Sequence, residues 1–451
     1  MRPRSILFVV SLAAIAPAAC SKSEPPDEGE TFASAIEPIV REKCQTCHRE
    51  GGIAPFGLMT YEDVSARGEI ARDAIARRAM PPWGPRDDEA CANVHPFKGD
   101  MSLTQAQIDT FARWVDRGMP RGDTSKVPPR AIFSPIGLAD KTHAFELAAP
   151  YTVPAKAKDE LRCFPIDPGF TEDTWIGESI LIPGDPRVLH HALVYLDPER
   201  EGVTKMDESG SYPCFGAAEL KKASLLLAWS PGGTSTTYGE NAGLEIPKGA
   251  HLVTQMHYHP IETAATGRAS LELKKLAERP AHAATFILLG NADGKSARPK
   301  LLPGPNDPAS GPEFFIPGGA KDHVEAMDYE NPGAPLRLAA VGAHMHWAGV
   351  GMKVEVEHAA KGLRAPKTDC LLNTTYDFNW QRTYAYDVPL DQAPIFGRGD
   401  KLRITCTYDN TEENPLIARS MRERRMTKPP AIKLGSKSTD EMCQAILVFV
   451  E

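Results

Sequence analysis

The chain has 451 residues, with 51 Lys and Arg against 59 Asp and Glu and a net charge of −8. That length implies about three domains at roughly 150 residues each, and the lack of any basic block excludes a nucleic-acid partner held by counterion release. A hydrophobic content of 42% excludes wholesale disorder, and 40 Pro with 36 Gly disfavour an all-helical fold and favour strands and turns.

Residues 1–20 begin basic at Arg2 and Arg4, run apolar from Ile6 to Ile15 and end in Ala18 and Ala19 before Cys20. This is the layout of a secretory signal. The small residues directly before Cys20 make the cleavage site similar to a bacterial lipoprotein box, with Pro17 standing where a Leu is usual. The resemblance implies a lipid-modified Cys20 that tethers a periplasmic or cell-envelope protein to its membrane; ordinary cleavage nearby is the alternative. Either way the mature chain is expected outside the cytoplasm. No second apolar run reaches spanning length. The polar, Pro-bearing stretch at 21–30 is expected to be a flexible tether.

Cys44-Gln-Thr-Cys47-His48 is a C-x-x-C-H motif. Two thiols at that spacing can bond the vinyl groups of a haem while the adjacent imidazole coordinates its iron, so the motif predicts haem c; a redox C-x-x-C pair and half of a zinc site are the alternatives. Apolar residues at Phe32, Ile36, Ile39 and Val40 repeat at helical spacing into the motif. After Thr104, a candidate N-cap, Ile108, Phe111, Ala112 and Val115 form one stripe of a second helix that should stop near Gly118. Two helices around such a motif resemble a small α-helical class I cytochrome c domain, placed at 31–125 and followed by a Pro-rich linker at 126–144. Met80 in Met-Pro-Pro is similar to the axial-methionine loop of small bacterial cytochromes, with Met59, Met101 and His95 as competitors for the sixth iron position.

From about residue 140 short β-rich runs alternate with Pro/Gly turns, which predicts a mainly β fold of antiparallel β-sandwich material. Paired histidines fall on three of these runs: His190-His191, His257-Tyr258-His259, and His344-Met345-His346. On a regular strand alternate residues share a face, so each H-x-H can grip one ion with bases about 7 Å apart. Adjacent His190 and His191 would face opposite ways, and can share an ion only across a bulge or at a strand end.

In order, LHHALVY, LLLAWSPGG, LVTQMHYHP, HMHWAGVGMKV, CTYDN and STDEMCQAILVF resemble the type-II copper monooxygenases, the family of peptidylglycine α-hydroxylating and dopamine β-monooxygenases. The resemblance covers about residues 145–451. It implies two jelly-roll-like β-sandwich copper domains, at 145–280 and 281–451, and two copper ions. His190, His191 and His257 resemble the ligands of the electron-transferring (H-type) copper, and His344, His346 and Met442 those of the oxygen-activating (M-type) copper, which makes the last three the catalytic set. Imidazole suits both copper oxidation states and a thioether favours the cuprous ion. The implied reaction is hydroxylation of a small-molecule C–H bond by dioxygen, with electrons from ascorbate or, through the fused haem, from a periplasmic electron donor.

The resemblance also pairs Cys163 with Cys214 and Cys406 with Cys443, leaving Cys91 and Cys370 without a sequence ground for pairing. His259 falls outside the metal set, and His143, His251, His282, His323 and His358 are expected in ordinary packing or surface roles. Two departures make a peptidyl-glycine substrate doubtful. Gly342 stands where the peptidylglycine enzyme has a carboxylate-binding Arg, and Ile446 where it has a substrate-binding Tyr. A rival reading is a non-catalytic haem and copper lipoprotein that transfers electrons or carries metal. A zinc hydrolase is weaker, since no Glu stands as a base beside either H-x-H.

Overall fold

A computed structural model describes residues 30–451 apart from 90, 130–136, 157–159, 215–217, 232, 234, 240 and 361–366. The signal segment with Cys20, and nearly all of the expected tether, lie outside the described residues.

Three helices carry the first core: α1 (Glu37–Lys43), α2 (Gly68–Ala76) and α3 (Gln105–Asp116). Helix α3 starts where its sequence allows. The Thr104 hydroxyl accepts from the Gln107 amide while the Gln107 side chain accepts from the Thr104 amide, a reciprocal cap that satisfies two otherwise orphaned donors. Its C-terminus gives way to Gly118 at φ +78°, a left-handed conformation that costs glycine nothing. Phe32, Ile36, Ile39 and Val40 pack with Ile108, Phe111, Trp114 and Val115 in one buried cluster, so both predicted stripes face each other.

The remainder is mainly β and antiparallel. Strands β1 (Glu160–Ile166), β2 (Leu189–Asp197), β3 (Ser224–Trp229) and β4 (His251–Tyr258) lie side by side in the order β3-β2-β4-β1. Their inner faces, with Val194, Leu227 and Leu252, share a core with Ile176 and Leu181 of Thr174–Ile182 and with Leu271 and Leu273 of Ser270–Lys275. Farther along the chain come β5 (His282–Gly290), β6 (Leu336–His344), β7 (Gly349–Glu357), β8 (Thr368–Thr375), β9 (Lys401–Tyr408) and β10 (Gln444–Val450). Strand β10, the last of the chain, inserts between β5 and β6. Val341 and Leu447 from this layer meet Val354 and Ile404 of the sheet containing β7 and β9 in a second β core. The two β units are joined by β5, which touches β3 at the single pair Phe286 and Leu225 and so leaves a cleft between the flanking strands.

Residues 84–98, which follow α2, pack away from the helices and onto the second β unit. Pro85 bridges Thr374, Asn93 bridges Cys370 and Phe97 bridges Tyr386. Phe97 stacks on Tyr386 at 5.2 Å and Trp83 meets Tyr384 edge-on at 5.1 Å. A disulfide between Cys91 and Cys370 fastens this contact. The other two bridges, Cys163–Cys214 and Cys406–Cys443, are those the resemblance implied. Three disulfides belong to an oxidising compartment such as an exported protein meets. No helix among the described residues is long and apolar enough to cross a membrane.

Candidate metal centre

The cleft beside β5 holds a cavity of about 580 Å³, and His191, His257, His344, His346 and Met442 all line it. His190, His191 and His257 offer ring nitrogens that lie within 4.8 Å of one another, a spacing suited to a single metal ion. The adjacent pair is brought to one side by a break in register. His257 pairs with His191, but the next residue, Tyr258, pairs with Leu189, so His190 is the extra residue of a β-bulge. The bulge turns His190 back towards its neighbour, with the two Nδ1 atoms 3.0 Å apart, and the His190 ring stacks on Phe378 at 4.6 Å.

The second pair departs from the regular strand expected of an H-x-H. Strand β6 ends at His344, and Met345 and His346 have left the ladder. A buried carboxylate takes over. Glu441 accepts from the amides of His346 at 2.9 Å, Ala348 at 2.7 Å and Met442 at 3.0 Å, which ties the end of β6 to the segment carrying the thioether. Burial pushes the Glu441 carboxyl up to about 8 against those amides, which favour the anion. The two rings remain 5.6 Å apart, and His344 lies 6.2 Å from His191, so the two histidine groups meet across one cavity.

Each ring of the second pair is oriented through its Nδ1. His344 Nδ1–H donates to Gln381 Oε1 at 2.6 Å, and the Gln381 amide is itself held by the Phe378 carbonyl. His346 Nδ1–H donates to the Asp440 carbonyl at 3.2 Å. In both, Nε2 is left as the lone-pair nitrogen, the form in which imidazole binds a metal. Burial, the first cause, keeps these rings neutral: it lowers His344, takes His346 down to about 3, and with the neighbouring imidazoles holds His191 well below its ordinary value. The Met442 backbone is fixed on both sides: its carbonyl accepts from the Tyr408 hydroxyl at 2.8 Å, and the next residue is bonded to Cys406. Imidazoles set around one cavity with a thioether beside them are donors of the type that suits copper.

In the helical unit, Cys44 and Cys47 are free, on the turn that follows α1. Burial pushes the Cys44 thiol up to about 12 and raises that of Cys47. His48 Nδ1–H donates to the Phe56 carbonyl at 3.2 Å, which again leaves Nε2 as the ligating nitrogen. Met80 and His95 line a separate cavity of about 690 Å³ between the helices and residues 83–97, with Ile75, Leu103 and Ile108 as its apolar wall; His48 is not among its described lining residues. Two thiols beside an oriented imidazole are the groups that would hold a haem c, while the cavity beside Met80 mixes its apolar wall with Arg78, Arg86, Asp87 and Asp100 and has none of Cys44, Cys47 and His48 among its described lining residues.

Sequence reasoning missed Glu441, Gln381 and Phe378, none of which stands beside a histidine in the chain. Gly342 sits where no side chain fits: a Cβ there would lie 2.6 Å from the Arg382 carbonyl oxygen. The remaining histidines have local partners. His358 bridges Asp400 and Asp369 at 2.8 and 3.0 Å, His323 pairs with Glu325 at 2.9 Å, and His282 bonds the Glu451 backbone at 2.9 Å.

No family model and no curated protein matches the chain. Among solved structures, a tandem CBM22 domain of Paenibacillus barcinonensis Xyn10C is 10% identical over 65% of this chain and 79% of its own, with a TM-score of 0.17. A putative secreted protein from Parabacteroides distasonis is 8% identical over 70% and 85%, with a TM-score of 0.15. At such scores neither likeness bears on the fold.

Proposed function

We propose that this chain is an exported, copper-dependent monooxygenase that hydroxylates an organic molecule with dioxygen, built from two jelly-roll-like copper domains behind a cytochrome c-like module. One oxygen atom would enter a C–H bond and the other leave as water, with two electrons and two protons drawn from ascorbate or a periplasmic donor. The observation that carries the reading is the convergence of His191 and His257 with His344, His346 and Met442 on one cavity, with His190 grouped beside His191 and His257. Copper held by these groups would supply one-electron chemistry and a site for dioxygen.

The chain's own residues do the positioning. Gln381 and the Asp440 carbonyl present the Nε2 atoms of His344 and His346, Glu441 binds the thioether segment to the H-x-H turn, and Phe378 packs against His190. Haem c on Cys44, Cys47 and His48, with Met80 as sixth ligand, would supply the built-in electron donor. Support for that role lies in the docking of the helical unit on the second β unit. Arg382, next to Gln381, approaches Met101 Sδ at 4.0 Å, and its charge reaches the Cys47 thiol. High thiol pKa values argue against a reactive C-x-x-C pair, which needs a thiolate. The oxidising compartment supports export, to which the proposal adds periplasmic placement and a lipid anchor at Cys20.

The test is to load the full-length, haem-containing protein with copper, count the ions and follow oxygen uptake. Two coppers per chain are expected. Met442→Ile should abolish uptake while the site at His190, His191 and His257 stays loaded; uptake unchanged by that substitution would refute the enzyme reading and leave a metal carrier.

A further inference from the structure

The wall of the metal cavity has a chemical character of its own. On β2 the residues that alternate with the core are His191, Leu193 and Tyr195, so the face that presents the metal ligand also presents an alkyl group and a phenol ring at steps of about 7 Å. Strand β4 answers with His257 and Gln255, and two steps along the ladder from His191–His257 the pair on the same face is Leu193–Gln255. The opposite wall is Phe286 and Leu288 of β5. Among the described lining residues there is no Asp, Glu, Lys or Arg. The fold does not forbid charge in such places, since the comparable cavity beside Met80 is lined by Arg78, Arg86, Asp87 and Asp100.

A cavity of about 580 Å³ lies within the range of small-molecule sites. An ionised guest there would lose its hydration and find no opposite charge on the protein, at a cost that favours its neutral counterpart. We infer that the molecule accepted between the two histidine groups is neutral and largely apolar, of about one to two rings, held by Leu193, Leu288 and Phe286. The inference rests on the monooxygenase reading for calling this molecule a substrate, but its binding does not depend on copper chemistry.

The experiment is isothermal titration calorimetry of the full chain, copper-free and copper-loaded, with three probes of one shape: 2-methylnaphthalene, 2-naphthylmethylamine as its ammonium ion, and 2-naphthoate. The hydrocarbon should bind the copper-free protein about tenfold or more tighter than either ion. Leu288→Glu should reverse the order between the hydrocarbon and the ammonium ion, and Leu193→Glu is the second variant should the first fail to fold. Both leucines are only half-buried, so a carboxylate at either can reach the cavity water. Equal or tighter binding of either ion to the unsubstituted copper-free protein would overturn the proposal. Hydrocarbon binding that both substitutions leave intact would also overturn it, by placing the guest elsewhere. Preferential hydrocarbon binding without copper-dependent oxygen uptake would support the cavity's selectivity while removing the monooxygenase reading.

Discussion

Gln381 reaches His344 from 37 residues away, and its bond is what selects the tautomer of that ring. Gln381→Leu keeps the approximate volume and removes the acceptor, leaving His344 free to rotate and to place its proton on either nitrogen. Loss of such an outer partner typically weakens a metal site by about 10–100-fold. On the proposed copper reading, affinity at His344 and His346 should fall by that factor, with the group at His190, His191 and His257 little affected, and a chelator competition that resolves the two sites checks it. The histidine words themselves were legible because ligand chemistry is carried by residue type at short spacing. Gln381, Glu441 and Phe378 were not, since an amide, a carboxylate and a ring acquire their roles only when distant loops close on the same cavity.

At the scale of elements, short β-rich runs between Pro/Gly turns located the strands, and the apolar stripe after the candidate cap Thr104 located α3. What such runs cannot reveal is where a ladder breaks. All three histidine pairs sit on such breaks: the bulge at His190 answers the His257–Tyr258 step, β4 ends before His259, and β6 ends at His344. A different break is closed by charge, where His358, just past the end of β7, lies between Asp369 and Asp400. Burial alone would lower its pKa, but the two carboxylates outweigh burial and raise it. A raised folded-state value means that the cation stabilises the fold fully below the unfolded value of about 6.5 and ceases to do so as pH climbs through the folded one. The carboxylates, both lowered, stay ionised throughout that window. The melting temperature of the parent protein minus that of His358→Gln should therefore be largest near pH 6 and shrink towards pH 9 in differential scanning fluorimetry. A difference that grows with pH would show that the bridge does not depend on the cation.

The whole molecule is held together by contacts that no local pattern announces. Cys91 and Cys370 are separated by 279 residues, one between α2 and α3 of the helical unit and the other on β8. Their bond sits among the backbone bridges of Pro85, Asn93 and Phe97 and the rings of Trp83, Tyr384 and Tyr386, all of which fix the helical unit to the sheet behind Gln381 and Arg382. The aromatic packing is present in each unit's own amino acids, so the disulfide's contribution lies mainly in restricting the unfolded chain; bridges of this kind typically stabilise by about 2–4 kcal/mol. Replacing both cysteines by Ala should lower stability to urea by about that amount without changing metal binding, because neither cysteine is among the described residues lining the histidine cavity. If the helical unit's docking depends on the bond, the urea transition should also split into two, an early one reported by the α-helical circular dichroism signal and a later one reported by the β units. A single transition that merely moves to lower urea would mean that the aromatic contact alone keeps the units coupled. In that case the approach of Arg382 to Met101 and Cys47 survives without the covalent link, and any electron transfer between haem and copper should survive with it.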